Sequence, residues 1–119
     1  MLTAGKASQF AEEWIEAWNS HDLNRIVAHY SDDIIFSSPF VASVGGVVTG
    51  SLCGREALRV YFQAALSRFP SLRFELRTVF HGTDALTIVY KSVNDLLAAE
   101  TMVLSDDFYI ERVWSQYDK

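Results

Sequence analysis

The stretch Leu72-Arg73-Phe74-Glu75-Leu76-Arg77-Thr78-Val79-Phe80 decides the fold. Leu72, Phe74 and Leu76 alternate with Arg73, Glu75 and Arg77. A period of two sends successive side chains to opposite faces, the mark of a half-buried strand. The pattern then recurs between turn clusters. Gly82-Thr83-Asp84 precedes a strand from Ala85 to Val93, and Asn94-Asp95 precedes one from Leu96 to Leu104. Ser105-Asp106-Asp107 precedes the last, Phe108 to Tyr117. Everything after Pro70 is expected to be a four-strand meander.

Upstream of it the period changes. Phe10, Trp14 and Trp18 fall at i, i+4 and i+8, with Ala11 and Ile15 beside them and Glu12, Glu13 and Glu16 opposite. This predicts a helix over residues 8–20 with Ser8 as its N-cap. Asp22 is positioned to cap a short second helix with Leu23, Ile26, Val27 and Tyr30 on one face. Ser31-Asp32-Asp33 reads as a turn and Ile34-Ile35-Phe36 as a first strand ending at Ser37-Ser38-Pro39. Residues 40–53 read as a loop with a short extended segment near Val47-Val48-Thr49. A third helix follows Gly54 over about residues 55–69, and Pro70 stops it. Helices followed by hairpins indicate an α+β fold: a curved antiparallel sheet wrapped on N-terminal helices, in a single domain spanning residues 1–119.

Composition narrows the function classes. Half of the 119 residues are hydrophobic and 21% are charged, which is globular rather than disordered. Three Trp, five Tyr and eight Phe supply rings for a core or a cavity wall. A net charge of −5 disfavours phosphate backbones, so no nucleic-acid partner is expected. Arg68, Arg73 and Arg77 are interrupted by Glu75 and read as a solvated strand face. Cys53 is the only cysteine, which fits a reducing compartment. With no apolar run of signal-peptide or membrane-spanning length, the protein is expected to be cytoplasmic, with no membrane partner.

Turn lengths predict which side chains share a face. If Thr83-Asp84 and Asn94-Asp95 are two-residue turns, Phe80 faces Thr87, Thr78 faces Val89 and Leu76 faces Lys91. Lys91 then faces Ala98, Val89 faces Glu100 and Thr87 faces Met102. The apolar face would hold Phe74, Leu76, Thr78, Phe80, Thr87, Val89, Lys91, Ala98, Glu100, Met102 and Leu104. A charge on that face is costly unless paired or solvated, so Lys91 and Glu100 would project into a pocket. A three-residue turn would instead move both outward as a surface pair.

Motifs of several enzyme classes are missing. His21, His29 and His81 have no metal-ligand spacing and no cysteine pair beside them. Gly45 and Gly50 are not followed by the lysine of a phosphate loop, and Ser51 lacks the glycine of a nucleophile elbow, having Thr49 instead. No cofactor is expected. Asp32 and Asp33 fit turn chemistry better than an acid/base dyad.

Trp14-Ile15-Glu16-Ala17-Trp18-Asn19-Ser20-His21-Asp22-Leu23, then Tyr30-Ser31-Asp32-Asp33, Phe36-Ser37-Ser38-Pro39, Gly54-Arg55-Glu56-Ala57 and Tyr117-Asp118 come in a distinctive order. Over residues 8 to 118 the chain resembles the nuclear transport factor 2-like superfamily, and within it the SnoaL-like branch. The resemblance implies a cone-shaped, cystatin-like α+β barrel, a pocket between sheet and helices, and a homodimer through the sheet. The superfamily includes steroid isomerases, polyketide cyclases, dehydratases, epoxide hydrolases and binding modules, so fold does not fix function.

Residue by residue, Trp14 stands where the steroid isomerase pattern has tyrosine, and Ser38 where it has an aspartate base. Glu100 falls near its hydrogen-bonding acid, and near the late-strand base of polyketide cyclases. Ketosteroid isomerisation is therefore not expected, and the Asp-Arg-Asp set of the epoxide hydrolases finds no place on the meander. Glu100 and Lys91 are the candidate catalytic pair on a small apolar molecule. Trp14, Trp18, Tyr30, Phe36, Ser38, Phe62, Phe74, Phe80, Val89, Met102, Val113 and Tyr117 are the candidate ligand-binding residues. Isomerase, cyclase or dehydratase chemistry, a non-catalytic binding module and a filled dimerisation domain all remain open.

Overall fold

The computed structural model describes residues 1–119. Helix α1 spans Ala4–Ser20, α2 Leu23–Val27, strand β1 Tyr30–Ser37, α3 Pro39–Ser43, β2 Ser51–Cys53 and α4 Arg55–Arg68. The meander follows as β3 Glu75–His81, β4 Ala85–Lys91, β5 Leu97–Leu104 and β6 Ile110–Tyr117. The six strands form one sheet in the order β2-β1-β6-β5-β4-β3. All neighbours are antiparallel except β1 and β6. The α+β class, the curved sheet and the four-strand meander agree with the sequence.

Several local expectations need correction. The α1 cap is Thr3, whose hydroxyl accepts from the Lys6 N–H, so the helix begins a turn before Ser8. Asp22 does cap α2, but Tyr30 already belongs to β1. Ser31-Asp32-Asp33 is no turn; it lies inside β1, where the pairing with β6 shifts between Tyr30 and Ile35. That irregularity accommodates the polar run that suggested a turn. Ser38 and Pro39 start the short helix α3, and the extended segment is Ser51–Cys53 rather than residues 47–49. Gly54 enters α4 at φ 91°, a backbone conformation that glycine adopts without a Cβ clash.

The inner face of the sheet packs on α1 and α4. Trp14, Tyr30, Phe62, Ile88, Tyr90 and Met102 are among the largest fully buried side chains. Asn19, at the end of α1, fixes where β3 begins. Its amide donates to the Phe74 carbonyl at 3.0 Å and accepts from the Phe74 N–H at 2.7 Å. His21 adds a ring-nitrogen bond to the Leu72 carbonyl at 2.8 Å. These contacts hold Leu72 and Phe74 inward beneath the helix.

The β4–β5 hairpin departs from its expected register by one residue. Ser92 N–H donates to Leu96 O at 2.7 Å, leaving the three residues Val93, Asn94 and Asp95 in the turn. Asn94 and Asp95 are both left-handed, at φ 56° and 59°, a conformation that Asn and Asp tolerate well. Lys91 therefore faces Leu97, Val89 faces Ala99 and Thr87 faces Thr101. The inward pairs are Tyr90 with Ala98, Ile88 with Glu100, and Leu86 with Met102.

In the β3–β4 hairpin, Phe80 does face Thr87 and Thr78 does face Val89. A bulge between Leu76 and Thr78 then shifts Glu75, rather than Leu76, opposite Lys91. It lets Leu76 and Val79 pack against the core while Thr78 and Phe80 turn outward.

Candidate functional site

Between the inner sheet face and the helices lies an aromatic cavity. Trp14 and Trp18 come from α1, Tyr61 and Phe62 from α4, and Phe36 from β1. Phe40, Phe69 and Phe74 add to the apolar wall. The rings interlock: Phe74 and Tyr90 lie 4.6 Å apart between centroids, and Trp18 and Phe62 4.7 Å. Space open to the centre of a water molecule is about 50 Å³, room for a few waters at roughly 10–15 Å³ each.

One end of this cavity is polar. Glu100 on β5, Tyr90 on β4, and Ser115 and Tyr117 on β6 meet there. Glu100 is only 3% exposed. Its carboxyl accepts from the Tyr90 hydroxyl at 2.9 Å and from the Ser115 hydroxyl at 2.5 Å. No cation lies within ion-pair distance of it. Burial pushes its pKa above the usual carboxylate range, and the two hydroxyls oppose this only in part. A carboxylate has about four lone-pair sites, so two hydrogen bonds leave acceptor capacity free.

The tyrosines around it are donors rather than bases. Burial first, then the Glu100 charge, raises Tyr90 and Tyr117 well above the ordinary phenol value. Tyr61 is raised by burial too, with the Ser38 hydroxyl opposing.

Lys91 does not join Glu100. Its ammonium lies outside the cavity, 3.0 Å from Asp95 and 3.9 Å from Glu75. The three-residue turn thus separates the two charges instead of turning both outward. Phe80 and Val89 also stand off the cavity; Phe80 is 64% exposed on the outer face. Of the other candidates, Trp14, Trp18, Phe36, Phe62, Phe74 and Tyr117 line the cavity. Tyr30, Met102 and Val113 are buried behind its wall.

Two residues at positions of interest are already engaged. Trp14 donates its indole N–H to the Tyr30 hydroxyl at 3.1 Å. The Trp18 indole N–H, buried on the same helix, has no hydrogen-bond partner. The Ser38 hydroxyl caps α3, accepting from the Phe40 N–H at 3.2 Å. Tyr90 and Ser115 were missed. Tyr90 alternates with Val89 and Lys91, so the shifted register hid it, while Ser115 becomes visible only through its pairing opposite Glu100. No group of three or more His, Cys, Asp or Glu is arranged to hold a metal ion. No helix is long and apolar enough to cross a membrane.

Residues 11–102 match the family model for the SnoaL-like domain. A SnoaL-like protein of unknown function from Burkholderia thailandensis is 35% identical, with 98% of each chain covered and a TM-score of 0.93. A putative isomerase of the SnoaL-like family from Agrobacterium tumefaciens is 17% identical, covering 95% of this chain and 97% of that one, TM-score 0.76. SalBIII, an epoxide hydrolase/cyclase-like enzyme of pyran ring formation in the polyether salinomycin, is 16% identical, covering 98% and 94%, TM-score 0.79. The last two likenesses concern the fold alone. No curated protein matches.

Proposed function

The chain belongs to the SnoaL-like family, and from that premise we propose that it binds a small, largely apolar molecule in the aromatic cavity and moves a proton on it with Glu100. The observation that carries this reading is a sealed carboxyl with hydroxyl partners and no cation. Such a group is costly to bury, and burial tunes its pKa toward the range useful for general acid/base work. In its neutral form Glu100 donates to a ligand oxygen; in its ionised form it accepts a proton from an adjacent carbon. Tyr90 and Ser115 hold the carboxyl in place through both states. Isomerisation, cyclisation and dehydration beside a carbonyl all need such a group, and similar folds include SalBIII and the putative isomerase.

The test begins with native mass spectrometry of the protein as purified, to find what occupies the cavity. Turnover of the identified compound or its close analogues is then compared in the wild type and in Glu100→Gln. A loss of about 10²-fold or more is expected for a general acid/base. Full activity in the variant removes Glu100 from the chemistry.

A second reading, binding without chemistry, draws on two observations. The cavity is small, and the Trp14 and Ser38 polar groups are already engaged. Under it, the purified protein carries a ligand that it releases unchanged. For either reading we propose that the outer sheet face, where Ile35, Phe80, Leu97 and Trp114 are exposed, pairs with a second copy. Sedimentation equilibrium tests this: a dimer is expected for the wild type and dissociation for Phe80→Lys, whereas a wild-type monomer refutes it.

A further inference from the structure

The aromatic cavity continues outward into a larger groove. Phe69, Leu72, Ser92 and Val93 line both. The groove holds about 540 Å³ by the same measure and is mostly polar. Arg68, Pro70, Ser71, Arg73, Glu75, Lys91, Asn94 and Asp95 complete its wall.

Charges in this groove are unevenly satisfied. Asp95 and Glu75 both engage Lys91, at 3.0 and 3.9 Å, and Glu75 also lies 3.7 Å from Arg77. Arg68 and Arg73 have no carboxylate within 4 Å. Arg68 and Arg73, both exposed, therefore bring two cations without carboxylate partners to the wall of the groove outside an apolar cavity, in a chain whose net charge is −5. Arg68 and Arg73 are exposed, as a solvated strand face requires, but Arg68 ends α4 rather than lying on a strand, and both line the groove.

Building on the cavity-binding proposal, we infer that the ligand is an anionic amphiphile. Its apolar body enters the aromatic cavity and its anionic group stays in the groove, held by Arg68 and Arg73. Orientation follows from charge. An anion pushed inward would lose its water beside the Glu100 carboxyl, with no cation to meet it. An anion left at the mouth finds planar guanidinium donors suited to carboxylate and phosphate oxygens, and keeps part of its hydration. Uncharged apolar molecules of the same shape lose this second contact.

A matched pair of probes tests the inference: 4-phenylbutyrate and 4-phenylbutanamide, measured by titration calorimetry at low and moderate salt. The phenyl ring matches the chemistry of the aromatic wall, and the flexible chain is chosen to carry the head group toward the groove. The carboxylate is expected to bind the wild type about tenfold more tightly than the amide, with the advantage shrinking as salt rises. The double variant Arg68→Gln, Arg73→Gln should bring that ratio to about one while the amide binds as before. Lys6→Gln, Arg59→Gln removes the same two charges far from the groove and should keep the wild-type ratio.

Asp95→Asn releases one partner of Lys91 and should tighten the carboxylate severalfold; asparagine tolerates the left-handed backbone there. Equal wild-type binding of both probes overturns the anionic inference and leaves the cavity proposal standing. So does a carboxylate preference that survives in Arg68→Gln, Arg73→Gln. Failure of both probes to bind at millimolar concentration contradicts the cavity proposal and this inference together. If the double variant also weakens the amide, the Asp95→Asn result decides: no tightening overturns the inference.

Discussion

The two faces of the β4–β5 hairpin treat charge in opposite ways. Glu100 points inward, sealed under rings, with two hydroxyls and no cation. Lys91 points outward, partly hydrated, with Asp95 and Glu75 beside it. Both were expected on one face. A single extra residue in the Val93–Asp95 turn separates them, because side-chain direction alternates at every step along a strand. The inward charge is the costly one, so it is the one that needs a functional explanation.

The largest contrast between the faces is in stability. Phe74→Ala removes a buried ring stacked among Trp14, Trp18 and Tyr90, and should cost about 3–5 kcal/mol. Phe80→Ala, on the open outer face, should cost about 0.5 kcal/mol or less in the monomer. Urea denaturation at low protein concentration measures both. Near-equal losses would break the assignment of the faces.

A smaller loss is expected from Trp14→Phe, about 1–3 kcal/mol, because the fully buried Tyr30 hydroxyl loses its donor. Tyr30→Phe in the same background should add little if that donor is the main partner, as a double-mutant cycle would reveal.

The Glu100 contrast appears as a pH dependence. Its folded pKa is raised, so the folded state holds the proton more tightly than the unfolded chain. This contribution to stability is fully present below the unfolded value of about 4.3 and is lost as pH rises through the folded pKa. Glu100→Gln removes that slope. The variant's stability relative to wild type should therefore increase with pH above about 4.3, as parallel urea titrations at several pH values would show. Lys91→Gln should change stability least, by about 0–1 kcal/mol, since its partners are exposed and screened. A larger loss would mean that the pair does more than decorate the rim.

The fold was legible because its periods are plain. Trp14 and Trp18 recur at helical spacing, and Leu72, Phe74 and Leu76 at strand spacing. Glu100 was legible because it stays in phase with Ala98, Met102 and Leu104 whatever the turn length. Lys91, Phe80 and Val89 were placed on the wrong face because their direction depends on one turn residue and one bulge, which side-chain pattern does not encode. Ser8 lost the α1 cap to Thr3 because either residue satisfies the local chemistry, and packing of Ala7 and Leu2 decides between them. Asn19 and His21 stand where the helical spacing of α1 ends. Their partners lie more than fifty residues away at Phe74 and Leu72, a distance that no local pattern spans.

The carboxyl of Glu100 carries the functional argument, and its titration tests that argument most directly. Carbon-13 NMR of the labelled side chain, assigned with Glu100→Gln, would follow the carboxyl across the pH range. A midpoint well above the ordinary glutamate value of about 4.3 is expected for the sealed, cation-free group. A midpoint at or below 4.3 would contradict it, and would make Glu100 a stabilised structural anion rather than a poised acid.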